Sequence, residues 1–149
     1  MRVYLDAGLL FTTLLETDGS AAANQILQAT EAPFELTLLH QLQAENLITR
    51  LLTSKESARQ NAGGKASRLW QRYTAEGVFQ IIEPDWQDAV RLSIAWTRRY
   101  TEEPPAPLLV LHPCLALLNG ATHFASFDSR SRSLAKTAGL KMLPSKLDY

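Results

Sequence analysis

Met1-Arg2-Val3-Tyr4-Leu5-Asp6-Ala7-Gly8-Leu9-Leu10 is the stretch on which the reading of the whole chain turns. Val3, Tyr4 and Leu5 suit a short buried strand, because branched, aromatic and apolar side chains pack well on a pleated surface. Asp6 follows at once, and Gly8 permits a tight turn before the apolar run Leu9, Leu10, Phe11, Leu14 and Leu15. Open α/β sheets bind ligands at the C-terminal ends of their strands, and this carboxylate stands at such an end. On its own, an aspartate after a strand is more often a turn former or a helix cap. The functional interpretation gathers weight only from Phe127-Asp128, far downstream.

Working outward, the 149 residues fit one domain, 1–149, with a full hydrophobic core. Hydrophobic residues make up 46% and charged residues 20%, the balance of a soluble globular chain. Lys+Arg and Asp+Glu are equal at 15 each, so the net charge is zero and no large positive field advertises a nucleic-acid binder. A locally basic rim is compatible with that balance. No uncharged apolar stretch reaches the ~18 residues of a membrane span, and the N-terminus lacks a signal-peptide layout. The single cysteine, Cys114, excludes an intrachain disulfide and makes a cytoplasmic setting the default. With nothing nearby to activate it, Cys114 is expected to be a small buried hydrophobe.

After the opening strand, residues 9–15 read as a short helix, and Ser20 as the cap of a second one through Ile26 and Leu27. Residues 34–38 are β-compatible. Residues 39–52 carry Leu39, Leu42, Asn46, Leu47, Arg50 and Leu51 at helical steps. From 55 to 76 the chain is polar, and Gly63-Gly64 argues against one continuous helix. Residues 78–82 form a third strand, after which Asp85 caps a helix directing Trp86, Ala89, Val90, Ser93, Ile94 and Trp96 to the core. A buried helix is expected to begin close to Val110, because Pro113 is tolerated near a start but costs ~3 kcal/mol in an interior. Asn119-Gly120 stops it. Residues 122–127 are the fourth strand, 129–138 a helix closed by Gly139, and 140–144 the fifth strand. Five short strands separated by helices predict a single open parallel sheet with right-handed crossovers.

In such a sheet Asp6 and Asp128 follow strands one and four, and they converge if those strands are neighbours. Close carboxylates repel unless a cation or proton neutralises them, and an oxygen-rich site suits Mg²⁺ or Mn²⁺. The matching chemistry is phosphodiester hydrolysis by metal-activated water. Two aspartates are a common pattern, so this interpretation is one of several. His40, His112 and His123 lack paired ligand spacing, which argues against zinc. Nucleotide-binding glycine motifs and a GxSxG elbow are absent. Arg130, Arg132 and Lys136, close to Asp128, are candidates for phosphate contact or for a solvated helix face.

Val3-Tyr4-Leu5-Asp6, the Leu39-His40-x-Leu42 to Asn46 segment, Leu111-His112-x-Cys114-x-Ala116-Leu117 with Gly120-Ala121 and Phe127-Asp128, and the tail Leu134-Ala135-Lys136-x-Ala138-Gly139-Leu140 together resemble PIN domains. The likeness is greatest to VapC-type toxins of bacterial toxin–antitoxin pairs. It spans nearly the whole chain and is weakest from Lys55 to Glu103. It implies a PIN-like open α/β sheet of about five short parallel strands with helices on both faces. It also implies Mg²⁺- or Mn²⁺-dependent ribonuclease activity, a homodimer and a small antitoxin partner. In the family pattern four acids line the metal pocket. Asp6 and Asp128 match the first and last, which implies catalytic and metal-holding roles for them. Gln43 stands where the family has glutamate, and Leu109 where it has a third acid.

Gln43 keeps an oxygen ligand and loses a charge; Leu109 keeps neither, and an apolar side chain desolvates the site. Glu45 is turned about 200° from Gln43 around a helix, so it is no substitute. Glu102 and Glu103 are separated from Leu109 by prolines. Gly8 and Pro113 are further local departures. The expectation is a PIN-like protein with weakened or lost RNA cleavage, in which Arg130 and Arg132 contact RNA. Mg²⁺ or Mn²⁺ is its cofactor where activity is kept, and none where it is lost. The alternatives are an active endoribonuclease toxin with a reduced acidic site and a protein-interaction domain with no nucleic-acid role.

Overall fold

Every strand among the described residues is three residues long, so the hydrogen-bonded ladders are brief and the helices carry most of the packing. A computed structural model describes residues 1–147; positions 148 and 149, which the single-domain expectation includes, lie outside the described residues. In chain order the elements are β1 (Val3–Leu5), α1 (Ala7–Leu14), α2 (Ser20–Ala29), β2 (Phe34–Leu36), α3 (Leu38–Leu52) and α4 (Ser57–Ala75). They continue with β3 (Phe79–Ile81), α5 (Trp86–Thr97), α6 (Pro107–Leu118), β4 (His123–Ala125), α7 (Ser129–Thr137) and β5 (Lys141–Leu143). The α/β class with short parallel strands is as expected. The strands fall into two sheets, β1-β4-β5 and β2-β3, and not into one sheet of five. Alternating strands and helices make pairing parallel, but they leave open which strands become neighbours. Here β1 takes β4, from the far end of the chain, and β2 takes β3.

The residues form two compact units. The described residues of the first are 1–6 and 83–147. Its sheet sets Val3 opposite His123 and Leu5 opposite Ala125, and β5 continues on the other side of β4 with His123 opposite Lys141. Tyr4 stacks on Phe124 with ring centroids 5.9 Å apart, which seals the β1–β4 pair with a buried aromatic contact. Helices α5, α6 and α7 bury Trp96, Val110 and Cys114 together, with Leu92, Leu134 and Ala138 packed around them. Ala89 and Trp96 are buried on α5 with Ser93 between them, steps of four and three residues. Val90 and Ile94, expected in the core, lie on the neighbouring stripe and stay 46% and 45% exposed.

Pro107 occupies the first turn of α6, so this helix begins three residues before the expected start at Val110. Pro113 is therefore interior and buried. The α6 stop is as read: Gly120 adopts φ 75°, a conformation that a side chain disfavours.

The second unit is Ala7–Ile82. Phe34 pairs with Phe79 and Leu36 with Ile81, and Trp70 and Tyr73 from α4 close over the Phe79 ring. Gly63-Gly64 does not interrupt α4. A Cβ on Gly63 would stand 2.9 Å from both Leu51 Cβ and Leu52 N, so glycine here allows α3 and α4 to approach closely. The expected cost of glycine in a helix is offset by packing that sequence periodicity does not reveal. Ser20 is the first residue of α2 and not its cap; its hydroxyl donates to the carbonyls of Thr12 and Leu15 and ties the α1–α2 turn. No helix among the described residues is long and apolar enough to cross a membrane.

Candidate functional site

The parallel register that pairs Leu5 with Ala125 continues one residue further, where Asp6 N donates to Ala125 O at 3.0 Å. The residue facing Asp6 across the ends of β1 and β4 is then Ser126. Both are buried. The Ser126 hydroxyl donates to Asp6 Oδ2 and accepts from Asp128 N at 3.0 Å. Its own backbone N–H reaches Leu143 O at 3.0 Å, at the end of β5. One serine thus joins the C-terminal ends of the three strands of this sheet. Neighbouring strands one and four do bring Asp6 and Asp128 to one place, joined through Ser126.

Asp128 is half-buried and caps α7. Its backbone is extended, and Oδ1 accepts from Ser131 N at 2.8 Å, satisfying a helix-terminal N–H that has no partner within the helix. The helix-cap interpretation and the strand-end position hold together at this residue.

Leu109 lies in the first turn of α6 and is half-buried. Its carbonyl would ordinarily accept from the N–H four residues later, but that residue is Pro113, which has none. Ser131 Oγ donates to Leu109 O at 2.8 Å instead. The two departures at positions 109 and 113 thus meet in one hydrogen bond to α7.

Beneath the strand ends, Tyr4 Oη is 2.7 Å from His112 Nδ1 in a buried pair. Burial raises the Tyr4 phenol well above its ordinary pKa, with the negative charges of Asp6 and then Cys114 adding to it. The phenol therefore keeps its proton, and the tautomer of His112 sets which of the two donates. Cys114 is fully buried, as expected; burial pushes its thiol pKa up, partly opposed by a hydrogen bond with Ser93.

Both arginines assigned to RNA already hold backbone groups. Arg132 donates from Nη1 to Ser126 O at 2.8 Å and Leu143 O at 3.1 Å, and from Nη2 to Pro144 O at 2.7 Å. It is a clasp between the ends of β4 and β5. Arg130, exposed on α7, donates to Glu103 O at 2.6 Å. Gln43 belongs to the other unit, half-buried on α3 in a groove with Phe11, Leu42, Asn46, Leu47 and Arg50. Glu45 accepts from Trp70 Nε1 at 3.2 Å. His40 is buried at the start of α3, where its Nδ1 accepts from Thr37 N at 3.0 Å in a capping arrangement.

Mg²⁺ and Mn²⁺ prefer an octahedral shell of oxygens. In the first unit the strand-end carboxylates are those of Asp6 and Asp128, and each has an oxygen already receiving a proton donor from the chain. Leu109 brings no donor in its side chain, and its carbonyl is taken by Ser131. Among the described residues no three His, Cys, Asp or Glu gather where they could hold an ion. This donor set does not fit a divalent cation bound chiefly by protein ligands. The residues that sequence reasoning missed are Ser126 and Ser131. The parallel register from Val3–His123 points to Ser126 once the β1–β4 pairing is known, and the missing Pro113 N–H points to Ser131. The chain matches no protein-family model and no curated protein.

Proposed function

We propose that this chain is a PIN-like RNA-binding domain in which metal-dependent RNA cleavage is weakened or lost. The observation that carries the proposal is the Ser126 hydroxyl set between Asp6 Oδ2 and Asp128 N, with Asp128 Oδ1 turned to the cap of α7. A cation would have to share both carboxylates with internal donors, each of which already holds one oxygen. Desolvating them for a partly formed shell costs more than two acids return, and Gln43 and Leu109 supply no further charge. The resemblance adds a homodimer and a small antitoxin partner to the same proposal, and the single cysteine a cytoplasmic setting.

The test is to incubate the purified protein with short RNAs in Mg²⁺ or Mn²⁺ and compare it with Asp6→Ala on denaturing gels. The expected result is no cleavage that depends on Asp6, together with RNA binding that weakens as salt rises. Cleavage by the purified chain that vanishes in Asp6→Ala would establish the active-nuclease alternative instead. Failure to bind RNA even at low salt would favour the interaction domain.

A further inference from the structure

The cations nearest Asp128 in sequence, Arg130 and Arg132, are engaged with carbonyls, yet Arg132 also lines a basic groove in the same unit, together with Lys136, already a candidate for phosphate contact, and Lys141. A groove of about 740 Å³ runs between α7 and β5. Lys136 and Lys141 line it, with His123 and the hydroxyls of Ser129, Ser133 and Ser145. Among the described residues no carboxylate lines it. Both lysines are exposed, and among the described residues neither ammonium group has a hydrogen-bond or ion-pair partner. Leu140, Met142 and Leu143 give the groove an apolar floor.

We propose that this α7–β5 groove holds the phosphodiester backbone of a single-stranded RNA, with phosphates at Lys136 and Lys141 and an unstacked nucleotide on the Met142 floor. The proposal rests on the interpretation of the chain as an RNA-binding domain and names the surface that does the binding. Charge selects a polyanion, since two lysines lining one groove with no acid among its lining residues favour an anion there. The apolar floor selects a single strand. An open strand offers base and sugar faces to such a surface, whereas a duplex offers chiefly phosphates and 2′-hydroxyls. The groove's volume lies in the range of ligand sites, roughly 300–1,000 Å³. His123 is held below the ordinary imidazole range by partial burial, then by the positive charges of Lys141 and the N-terminus. Its ring is therefore neutral at physiological pH, and with Nδ1 2.8 Å from Thr122 Oγ1 it is Nε2 that is offered to a ligand beside the phosphates. Ser129, which lines the groove, directly follows Asp128, so a strand lying there passes close to the Asp6–Ser126–Asp128 cluster.

The experiment is fluorescence anisotropy with a labelled eight-nucleotide single-stranded RNA, alongside the methyl NMR signal of Met142, one of only two methionines. Two phosphate contacts on a single strand give a salt slope of about −1.4, so binding should weaken roughly sevenfold between 50 and 200 mM salt. Lys136→Glu with Lys141→Glu should weaken binding by roughly tenfold or more and flatten that slope. Lys136→Arg with Lys141→Arg should keep it, as should Arg91→Ala on α5. RNA should shift the Met142 methyl signal. RNA binding that is insensitive to the double Glu variant overturns the groove and leaves the RNA-binding interpretation standing. No binding by the wild-type chain overturns both. Displacement of RNA by equimolar nucleoside monophosphate or inorganic phosphate overturns the strand, making the groove a single-phosphate site.

Discussion

Ser131→Ala tests the most specific local claim, that a serine on α7 replaces the hydrogen bond Pro113 takes from α6. In the wild-type chain Leu109 O accepts from Ser131 Oγ at 2.8 Å, and Ser131 is 1% exposed. Removing the hydroxyl leaves a carbonyl without its donor, in a place that water reaches poorly. A buried acceptor left unsatisfied costs about 1–3 kcal/mol. Taking ~1.5 kcal/mol and a urea slope of ~1.5 kcal/mol/M, the midpoint should fall by about 1 M. The Ser131 N–H to Asp128 Oδ1 bond is a backbone donor and survives the change, so the helix cap is not what the variant perturbs.

The same substitution in a Pro113→Ala background separates this mechanism from simple loss of packing. The alanine replacement restores an N–H four residues after Leu109, so the carbonyl no longer depends on Ser131. Ser131→Ala should then cost only about 0.5 kcal/mol, leaving a coupling of about 1 kcal/mol in the double-mutant cycle. Urea unfolding followed by circular dichroism at constant slope measures all four corners. Equal costs for Ser131→Ala in the two backgrounds would refute the reasoning, whatever each variant does alone.

Arg132→Ala should destabilise by roughly 2–3 kcal/mol, about 5–10 °C in melting temperature, because it frees three carbonyls at the ends of β4 and β5. Arg132→Lys should not restore it, since one ammonium group lacks the planar fork. Gly63→Ala should cost about 1–3 kcal/mol through the 2.9 Å approach to Leu51 and Leu52, measured by urea unfolding. Gly64→Ala, whose nearest neighbour would be the flexible end of Arg68 at 3.5 Å, should stabilise by up to ~1 kcal/mol. Tyr4 should ionise well above the ordinary tyrosine range when tyrosinate absorbance is followed upward in pH. Its proton is lost near pH ~10 in the unfolded chain and kept to higher pH in the folded one. Its contribution to stability is thus complete below ~10 and falls as pH rises towards the folded value. A Tyr4→Phe variant with the same alkaline stability loss as wild type would contradict this.

Elements were legible in the sequence to the extent that one residue type could set them. Asp85 caps α5 through Asp88 N, and Gly120 and Gly139 adopt positive φ beyond α6 and α7, because caps and stops depend on local chemistry. The five strands were legible as segments, and their parallel pairing followed from the intervening helices. Their division into two sheets was not legible, since three-residue ladders leave little pattern to choose between partners. Gly63 and Pro113 misled for a shared reason. Each breaks a rule of the isolated helix, and each is accommodated by a neighbouring helix that periodicity cannot see. At the candidate site Asp6 and Asp128 were visible as strand-end acids. Ser126 was not, because its importance lies in facing Asp6 across a pairing 120 residues apart in sequence.

The hydrogen bonds at this site form one connected path. Pro113 leaves Leu109 O without a helical donor, and Ser131 Oγ fills the place. Ser131 N–H goes to Asp128 Oδ1, Asp128 N–H to Ser126 Oγ, and the Ser126 proton to Asp6 Oδ2. Four elements, α6, α7, β4 and β1, are stitched by a path that includes Asp6, Asp128 and Leu109, three positions that the PIN resemblance implies for a metal pocket. Two uses of the same carboxylates compete here. A cation binds best to acids whose oxygens converge without internal donors, whereas this path requires each acid to accept from the chain. An acid placed at position 109 alone would not resolve that competition, because the Leu109 carbonyl would still bind Ser131 and Asp128 would still cap α7. On this geometry, an uncharged side chain at position 109 and the hydrogen bonds of Ser126 and Ser131 act in the same direction. Asp6 is accordingly better explained as an acceptor that fixes the strand ends than as a free metal ligand.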